Sequence, residues 1–364
     1  MLNDQDQVTL SVNGHDYAGW QSVSVTAGIE RQARDFHLSV AQNWPDAIKG
    51  VHRITSGDKC ELWMGQDKVL TGYVDATPIS YDAKQIQISI KGRSKTADLI
   101  DCSALHPTGQ WRHVSLAALL QELAAPYQVK VIADTRAVVR EHQIQQGETV
   151  FESMDRVLRM HHYFAMDNAQ GELVLIEIGS EQADTGLVLG QNIYAGQAEL
   201  DSRDRFSEYI CYSQRAGNDN DFGQKLAYRG AISDTDISRR RVLISRQGGQ
   251  TDPATCNERL RYERAQRKAK SLEARYTVIG WRQNSGALWQ PNMCVYVNDS
   301  IMGWQTTMLI IEVEYRLDQD GTKAFLKLGP IDGYLSNPAK PLKRKSKKTG
   351  DDLPIDAPLL VPLS

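Results

Sequence analysis

The sequence predicts a mainly β protein with an α+β insert: β domains at residues 1–98 and 181–335, a small α/β domain at 99–180 between them, and a basic, proline-rich tail at 336–364. Three observations carry that expectation. Apolar and polar residues alternate with a period of two through the first ~90 residues, so that one face of each strand can enter a core. Helical spacing replaces the alternation between Ser115 and His161. Strand-like segments then return after Leu187, and a strand-turn-strand plan read between Ile54 and Gly92 recurs between Trp289 and Gly329.

The chain opens with Val8, Leu10 and Val12 on one face, then Asn13-Gly14, then Tyr17. Asn and Gly both tolerate the positive φ of a type I′ turn, so the segment reads as a hairpin. Val23, Val25, Phe36, Leu38 and Val40 continue the alternation. In the first copy of the repeated plan, Ser56, Gly57 and Asp58 lead into a strand at Cys60, Leu62 and Trp63. Val69–Val74 follows, and a turn at Tyr81–Lys84 returns into Ile86, Ile88 and Ile90. In the second copy, Gln290, Pro291 and Asn292 lead into Cys294–Val297, Met308–Tyr315 follows, and a turn at Asp318–Gly321 returns into Phe325, Leu326 and Leu328. Each copy closes on glycine, Gly92 or Gly329, 32 or 35 residues after its cysteine, although residue identity between them is low. Internal duplication is the expectation, with two convergent β-meanders as the alternative. Six or seven strands in ~90 residues suit a small barrel or sandwich.

In the middle of the chain Ser115 precedes Leu116, Leu119, Leu120 and Leu123, a capped helical face that ends by Pro126. Val129 and Val131 form a short strand. Thr149 and Glu152 have capping-box spacing, and Val150, Met154, Val157 and Leu158 supply the buried stripe of a helix to about His161. Tyr163–Met166 and Leu173–Ile178 read as a hairpin across Asp167–Gly171. Further on, Glu208–Tyr212 is a strand and the polar segment Ala216–Gly223 a mobile loop. Asp252 as N-cap and Pro253 at the first helical position open a helix to about Ser271, with a narrow stripe of Ala265, Ala269 and Leu272. Arg259, Arg261, Arg264, Arg267, Lys268 and Lys270 crowd the rest of that helix, and Ala274–Ile279 resumes the strands. After Gly333 prolines at 338, 341, 354, 358 and 362 favour an extended tail, whose Leu353, Ile355, Leu359, Leu360 and Val361 are candidates for docking on a partner.

Composition excludes several classes. With 41% hydrophobic and 24% charged residues among 364, the chain is not largely disordered, and no apolar run approaches the ~20 residues of a membrane helix. The acidic start, Met1–Asp6, is no secretory signal, so synthesis is expected to end in the cytoplasm. Five cysteines, at 60, 102, 211, 256 and 294, show no C-x-x-C pair and are expected as reduced, apolar core residues. Phosphate loops, H-E-x-x-H and G-x-S-x-G are absent, and the adjacent His161 and His162 diverge on a helix, so no catalytic, cofactor or metal residue is assigned. A wall-degrading glycosidase needs only two carboxylates, but no acidic residue stands in an obviously apolar context. Net charge is −3, yet Arg239–Arg275 carries +7 and the rest −10. The basic helix either meets nucleic acid or an acidic surface, or is a solvated face.

Three stretches in order carry a family resemblance: GRSKTADLIDCSA from Gly92 to Ala104, QGETVFESMDRVLRMHHYF from Gln146 to Phe164 with the D-x-x-x-G hairpin behind it, and the arginine-rich helix leading into YTVIGW at Tyr276–Trp281. Over nearly all of residues 1–335 the sequence resembles the baseplate hub proteins of contractile-tailed phages, Mu-like hubs above all. The resemblance implies two tube-like β-barrels per chain and a homotrimeric ring of pseudo-sixfold symmetry. Such a ring joins the tail tube protein to the central spike protein, touches other baseplate proteins, and passes DNA transiently and without sequence preference. Kinship with type VI secretion spike proteins is implied as well. So are a place in the virion tail, assembly in the host cytoplasm, no cofactor, no catalysis and no membrane insertion of its own. In that setting Arg259, Arg261, Arg264, Arg267, Lys268 and Lys270 are candidate channel- or partner-facing residues. The tail after Lys340 has no counterpart in the family pattern.

Overall fold

The computed structural model describes residues 6–43, 54–83, 85–161, 163–214, 227–247 and 253–335. The first stretch forms eight strands: β1 (Val8–Val12), β2 (His15–Tyr17), β3 (Ser22–Gly28), β4 (Asp35–Asn43), β5 (Lys59–Met64), β6 (Asp67–Ala76), β7 (Ile79–Tyr81) and β8 (Gln85–Ser94). The Asn13-Gly14 turn is as expected, with φ of 52° and 81° and Val12 opposite His15. The strand beyond the expected six or seven is β7, which pairs with β8 but is only three residues long and buries none of them. Of the expected Tyr81–Lys84 turn, Lys84 lies outside the described residues and Tyr81 ends β7.

The middle stretch contains helix α1 (Ala97–Asp101), strand β9 (Gln110–Ser115), helix α2 (Leu116–Ala124), strands β10 (Val131–Ile132) and β11 (Val138–Gln143), helix α3 (Val150–Met160), and strands β12 (Phe164–Asp167) and β13 (Leu173–Ile176). Both caps form. Ser115 accepts a hydrogen bond from the Ala118 N–H, and Thr149 and Glu152 make the reciprocal pair. Leu116, Leu119, Leu120, Leu123, Val150, Met154, Val157 and Leu158 share one core with Leu99 and Trp111. The antiparallel β9–β11 pair, joined through α2 and β10, is absent from the sequence reading because most residues of both strands are exposed and lack a period of two. From β11, His142 enters the interior, its Nε2 2.8 Å from Ser153 Oγ on α3.

The last stretch holds β14 (Glu181–Gln182), β15 (Leu187–Val188), β16 (Ile193–Leu200), β17 (Glu208–Gln214), β18 (Ala227–Ser233), β19 (Val242–Gln247), helix α4 (Pro253–Lys270), β20 (Leu272–Ile279), β21 (Met293–Asp299), β22 (Trp304–Asp318) and β23 (Gly321–Gly329). The meander β21–β22–β23 repeats β5–β6–β8 strand for strand, and the middle strand bulges against the last in both, between Val74 and Ala76 and between Ile310 and Glu312. The closing glycines are not equivalent, however. The cysteine rows run Cys60–Gly72–Ser94 and Cys294–Leu309–Gly329, so Gly92 falls two residues short of the position of Gly329. Each answers a local need: a Cβ on Gly92 would lie 2.6 Å from the Phe36 ring, and one on Gly329 2.7 Å from Ile311 Cδ1.

The two β halves join edge to edge. Strand β3 runs antiparallel to β22, from Gly28 opposite Glu312 to Val23 opposite Leu317, so one sheet runs β16-β20-β23-β22-β3-β4-β8-β6 and on through β5, β1 and β2. Among the described strands neither half closes on itself. Instead Val8, Leu10, Val25, Phe36 and Leu62 share a single core with Tyr276, Trp281, Val313, Tyr315 and Leu326.

One buried ion pair ties the first half to the middle unit. The Arg34 backbone N–H donates to Asp167 Oδ2 at 2.9 Å, its Nε to Oδ1 at 3.3 Å, and its guanidinium to the carbonyls of Val69 and Asp167. The expectation that no carboxylate sits in an apolar setting therefore fails at Asp167, whose side chain is 1% exposed. Burial raises its pKa, while Arg34 pulls it down. The sequence hid this because the residue's neighbours arrive from β3–β4, 133 positions away.

Asp167→Ala leaves the Arg34 guanidinium buried without its counter-charge and is expected to cost about 3–5 kcal/mol in urea unfolding, with part recovered when Arg34→Met is added. His142 offers a pH test. Burial first, then the Arg156 guanidinium, holds its pKa below the ordinary imidazole value, against Glu148. A depressed folded-state pKa means that protonation favours the unfolded chain. This part of the stability is thus present above pH ~6.5 and is lost as pH falls through the lower folded value. His142→Gln is expected to flatten unfolding free energy measured between about pH 7 and pH 5.

Candidate functional site

Helix α4 starts at Pro253, as the proline predicts, but its buried side differs from the expected stripe. Cys256 and Leu260, spaced one turn apart, pack on Tyr209 and Cys211 of the three-stranded sheet β18-β17-β19. Ala269 lies in a separate cluster with Tyr334, and the backbone of Gly333 approaches so closely that a Cβ there would meet Ala269 Cβ at 1.8 Å. Ala265 is only half-buried, and Leu272 begins β20 rather than lying on the helix. The anchoring pair was overlooked because a cysteine and a leucine among arginines do not make a wide apolar stripe.

The six basic residues of the helix divide into two sets. Arg264 donates to the Ser233 carbonyl at 2.8 Å. Arg267 pairs with Glu263 at 3.1 Å, donates to the Asp204 carbonyl, and lies 5.2 Å from the centre of the Phe206 ring, which Arg241 also approaches at 5.1 Å. Lys268 meets Asp236 at 2.7 Å, and Asp236 also accepts from Arg205, which in turn holds the buried Asp234. Hydrogen bonds from Lys268 and then Arg205 keep the Asp236 carboxyl below its ordinary pKa. These three basic residues therefore clamp the helix to the loops around its own sheet. Arg259, Arg261 and Lys270 are exposed and form no ion pair among the described residues.

A second feature was not read from the sequence. Strand β16 hydrogen-bonds only to β20 among the described strands, and it is exposed over most of its length, with Tyr194 at 61% and Leu200 at 52%. A strand open on both faces has no alternation to reveal it. Its edge is a ready template for another strand. The tail residues Leu353, Ile355, Leu359, Leu360 and Val361, the Ala216–Gly223 segment, Asp252 and His162 lie outside the described residues.

No cluster of three metal-ligating side chains occurs among the described residues, and no described helix is long and apolar enough to cross a membrane. All five cysteines are free; Cys60, Cys211, Cys256 and Cys294 are core residues as expected, and Cys102 is half-buried. Two more carboxylates are buried. Asp299 accepts from the Tyr276 hydroxyl and from the N–H groups of Ile301 and Met302, while Asp234 is bound by Arg205. Each is spent on holding a turn or strand end.

Residues 7–94 match the family described as Mu phage baseplate assembly protein GpP-like, N-terminal, residues 96–177 that of baseplate hub protein gp44-like, second domain, and residues 252–337 that of Mu phage baseplate assembly protein GpP, fourth domain. Baseplate hub protein gp44 of Escherichia phage Mu is 35% identical over 358 residues, which span 94% of this chain and 92% of that protein. The chain belongs to the phage baseplate hub family. Its structure is similar to that of the 43 kDa tail protein of prophage MuSo2 from Shewanella oneidensis, with a TM-score of 0.82 and 31% identity over 91% of this chain and 100% of the other. An Escherichia coli component of the type VI secretion system shares the fold alone, at a TM-score of 0.56 and 9% identity over 90% and 78% of the two chains. The hub chain is accordingly a structural protein of the tail baseplate, as the sequence resemblance implied.

Because the two sets of basic residues differ in what they touch, they should differ in effect. Arg267→Ala is expected to lower stability by about 1–2 kcal/mol through its lost hydrogen bonds and ring contact. Arg259→Ala and Arg261→Ala should stay within about 0.5 kcal/mol of the parent in the same denaturant titration.

Proposed function

We propose that the hub chain works as a homotrimeric ring that joins the tail tube to the central spike and lets DNA pass during ejection. Each chain contributes two tube-like β units, bounded at about residues 1–98 and 181–335, with the α/β unit at 99–180 between them. The single observation that carries this reading is the β3–β22 seam. A hexameric tube requires six equivalent contacts, and three chains supply them when each holds two similar units side by side. The intrachain seam already makes one of the two contacts per chain. The exposed edge of β16 makes the other by pairing with a neighbouring chain, so that three internal seams alternate with three between chains.

Tube and spike proteins, with other baseplate proteins around them, are the partners this arrangement requires, and the site of action is the virion tail after assembly in the host cytoplasm. The hydrophobic residues of the tail, Leu353 to Val361, are proposed to dock on one of these partners. A purely DNA-binding role draws less support, because Arg264, Arg267 and Lys268 are engaged within the chain.

Sedimentation velocity at micromolar concentration is expected to show a trimer. Lysine at both Tyr194 and Leu200 places charge on the β16 edge without touching the core, and should yield a monomer with an unchanged unfolding midpoint. A wild-type chain that remains a stable monomer would remove the basis for the ring.

A further inference from the structure

We infer that the surface which meets passing duplex DNA is the solvent face of the seam-spanning sheet rather than helix α4, and that ion pairs within and between its strands keep this face from binding the DNA. The inference rests on the ring reading above. A ring extended strand by strand turns one sheet face inward to a wet lumen, and the other face is already covered: Val25, Phe36, Val313, Tyr315, Leu326 and Tyr276 all point into the shared core. The alternate residues of the same strands form the uncovered face, and helix α4 lies on the separate β18-β17-β19 sheet.

That uncovered face is densely charged and mostly matched, Lys91 being exposed without an ion pair among the described residues. One row across the sheet reads Arg275–Lys327–Glu312–Gly28, the next Thr277–Phe325–Glu314–Thr26–Asp35–Arg93, and a third Ile279–Lys323–Arg316–Ser24–His37–Lys91. Arg316 grips Glu314 with two hydrogen bonds, at 2.6 and 3.0 Å, and stacks 4.4 Å from the Phe325 ring centre. Arg31 bridges Glu312 and Asp35 at the seam itself. Lys327 lies between Glu273 at 3.1 Å and Glu30 at 3.4 Å, and Arg275 pairs with Glu273 at 2.7 Å. Arg93 is held by Asp75 and Asp101. Guanidinium groups already committed to carboxylates have few donors left for phosphates, and matched charges release few counterions, which is what drives non-specific DNA binding. The face is therefore suited to contact with a polyanion that must slide past without being retained.

The test uses full-length protein and a short DNA duplex, with binding read by fluorescence anisotropy across a salt series. Wild type is expected to bind weakly with a shallow salt slope. Glu312→Gln with Glu314→Gln removes two negative charges, leaving Arg316 without its carboxylate and Arg31 with Asp35 alone, and should tighten binding by about tenfold or more at low salt with a steeper slope. Adding Arg316→Gln to that variant should reverse much of the gain, which guards against an effect of misfolding. Arg259→Ala with Arg261→Ala should leave binding unchanged. Oligomeric state is measured on the same samples. A trimer whose DNA affinity does not change on Glu312→Gln with Glu314→Gln overturns this inference and leaves the ring standing. Strong wild-type binding abolished by the α4 substitutions also overturns it. A monomeric wild type overturns both.

Discussion

An unpaired strand edge is the constraint around which this chain is built. Backbone N–H and C=O groups along a strand must find partners, and a long sheet that does not close has an edge at each end. The β3–β22 ladder satisfies two such edges at once, bringing together strands from opposite ends of the described chain. Without that ladder the apolar residues of β3 and β22 would have no common core, and Tyr315 would lose its place opposite Val25. Among the described strands the same need is left open at β16, whose outer edge has no partner.

The other parts of the fold brace this sheet by polar contacts that are few but buried. Arg34 and Asp167 hold the hairpin β12–β13 against β6, where Thr71 also donates to the Ala169 carbonyl. Asn292, at φ 70°, accepts from the Gly179 N–H and donates to the Glu177 carbonyl, fixing the return from the α/β unit into β21. Both use side chains bound at several points to backbone groups of another element, so the placement of these segments is set by geometry as well as by apolar area.

Local signals in the sequence fared well where a backbone or cap motif decides the structure by itself. The Asn13-Gly14 turn, the Ser115 cap and the Thr149–Glu152 box each need only adjacent residues. The repeated strand plan was legible because its alternation survives low identity, yet its closing glycines were misaligned, since spacing alone does not show register. Features set by distant partners were invisible: the seam, the buried Asp167, the Cys256–Leu260 anchor, and the exposed edge of β16. For the basic helix, charge was readable but the partners of Arg264, Arg267 and Lys268 were not, because Ser233 at the end of β18 and Asp204 and Asp236 in neighbouring loops approach only in space.

The seam also sets a timetable for synthesis. Ser24 and Glu314, which meet across it, stand 290 residues apart in the chain. At roughly 5–20 residues per second on a ribosome, β3 waits on the order of 15–60 s before its partner strand emerges. During that interval its ladder is open to any other strand, including β3 of a neighbouring nascent chain on the same message. Ser22 and Ser24, polar on the side away from the core, and the early pairing of β3 with β4 limit what is exposed to one edge and one apolar face. Order of emergence thus becomes part of how a molecule made of similar halves avoids joining the wrong ones.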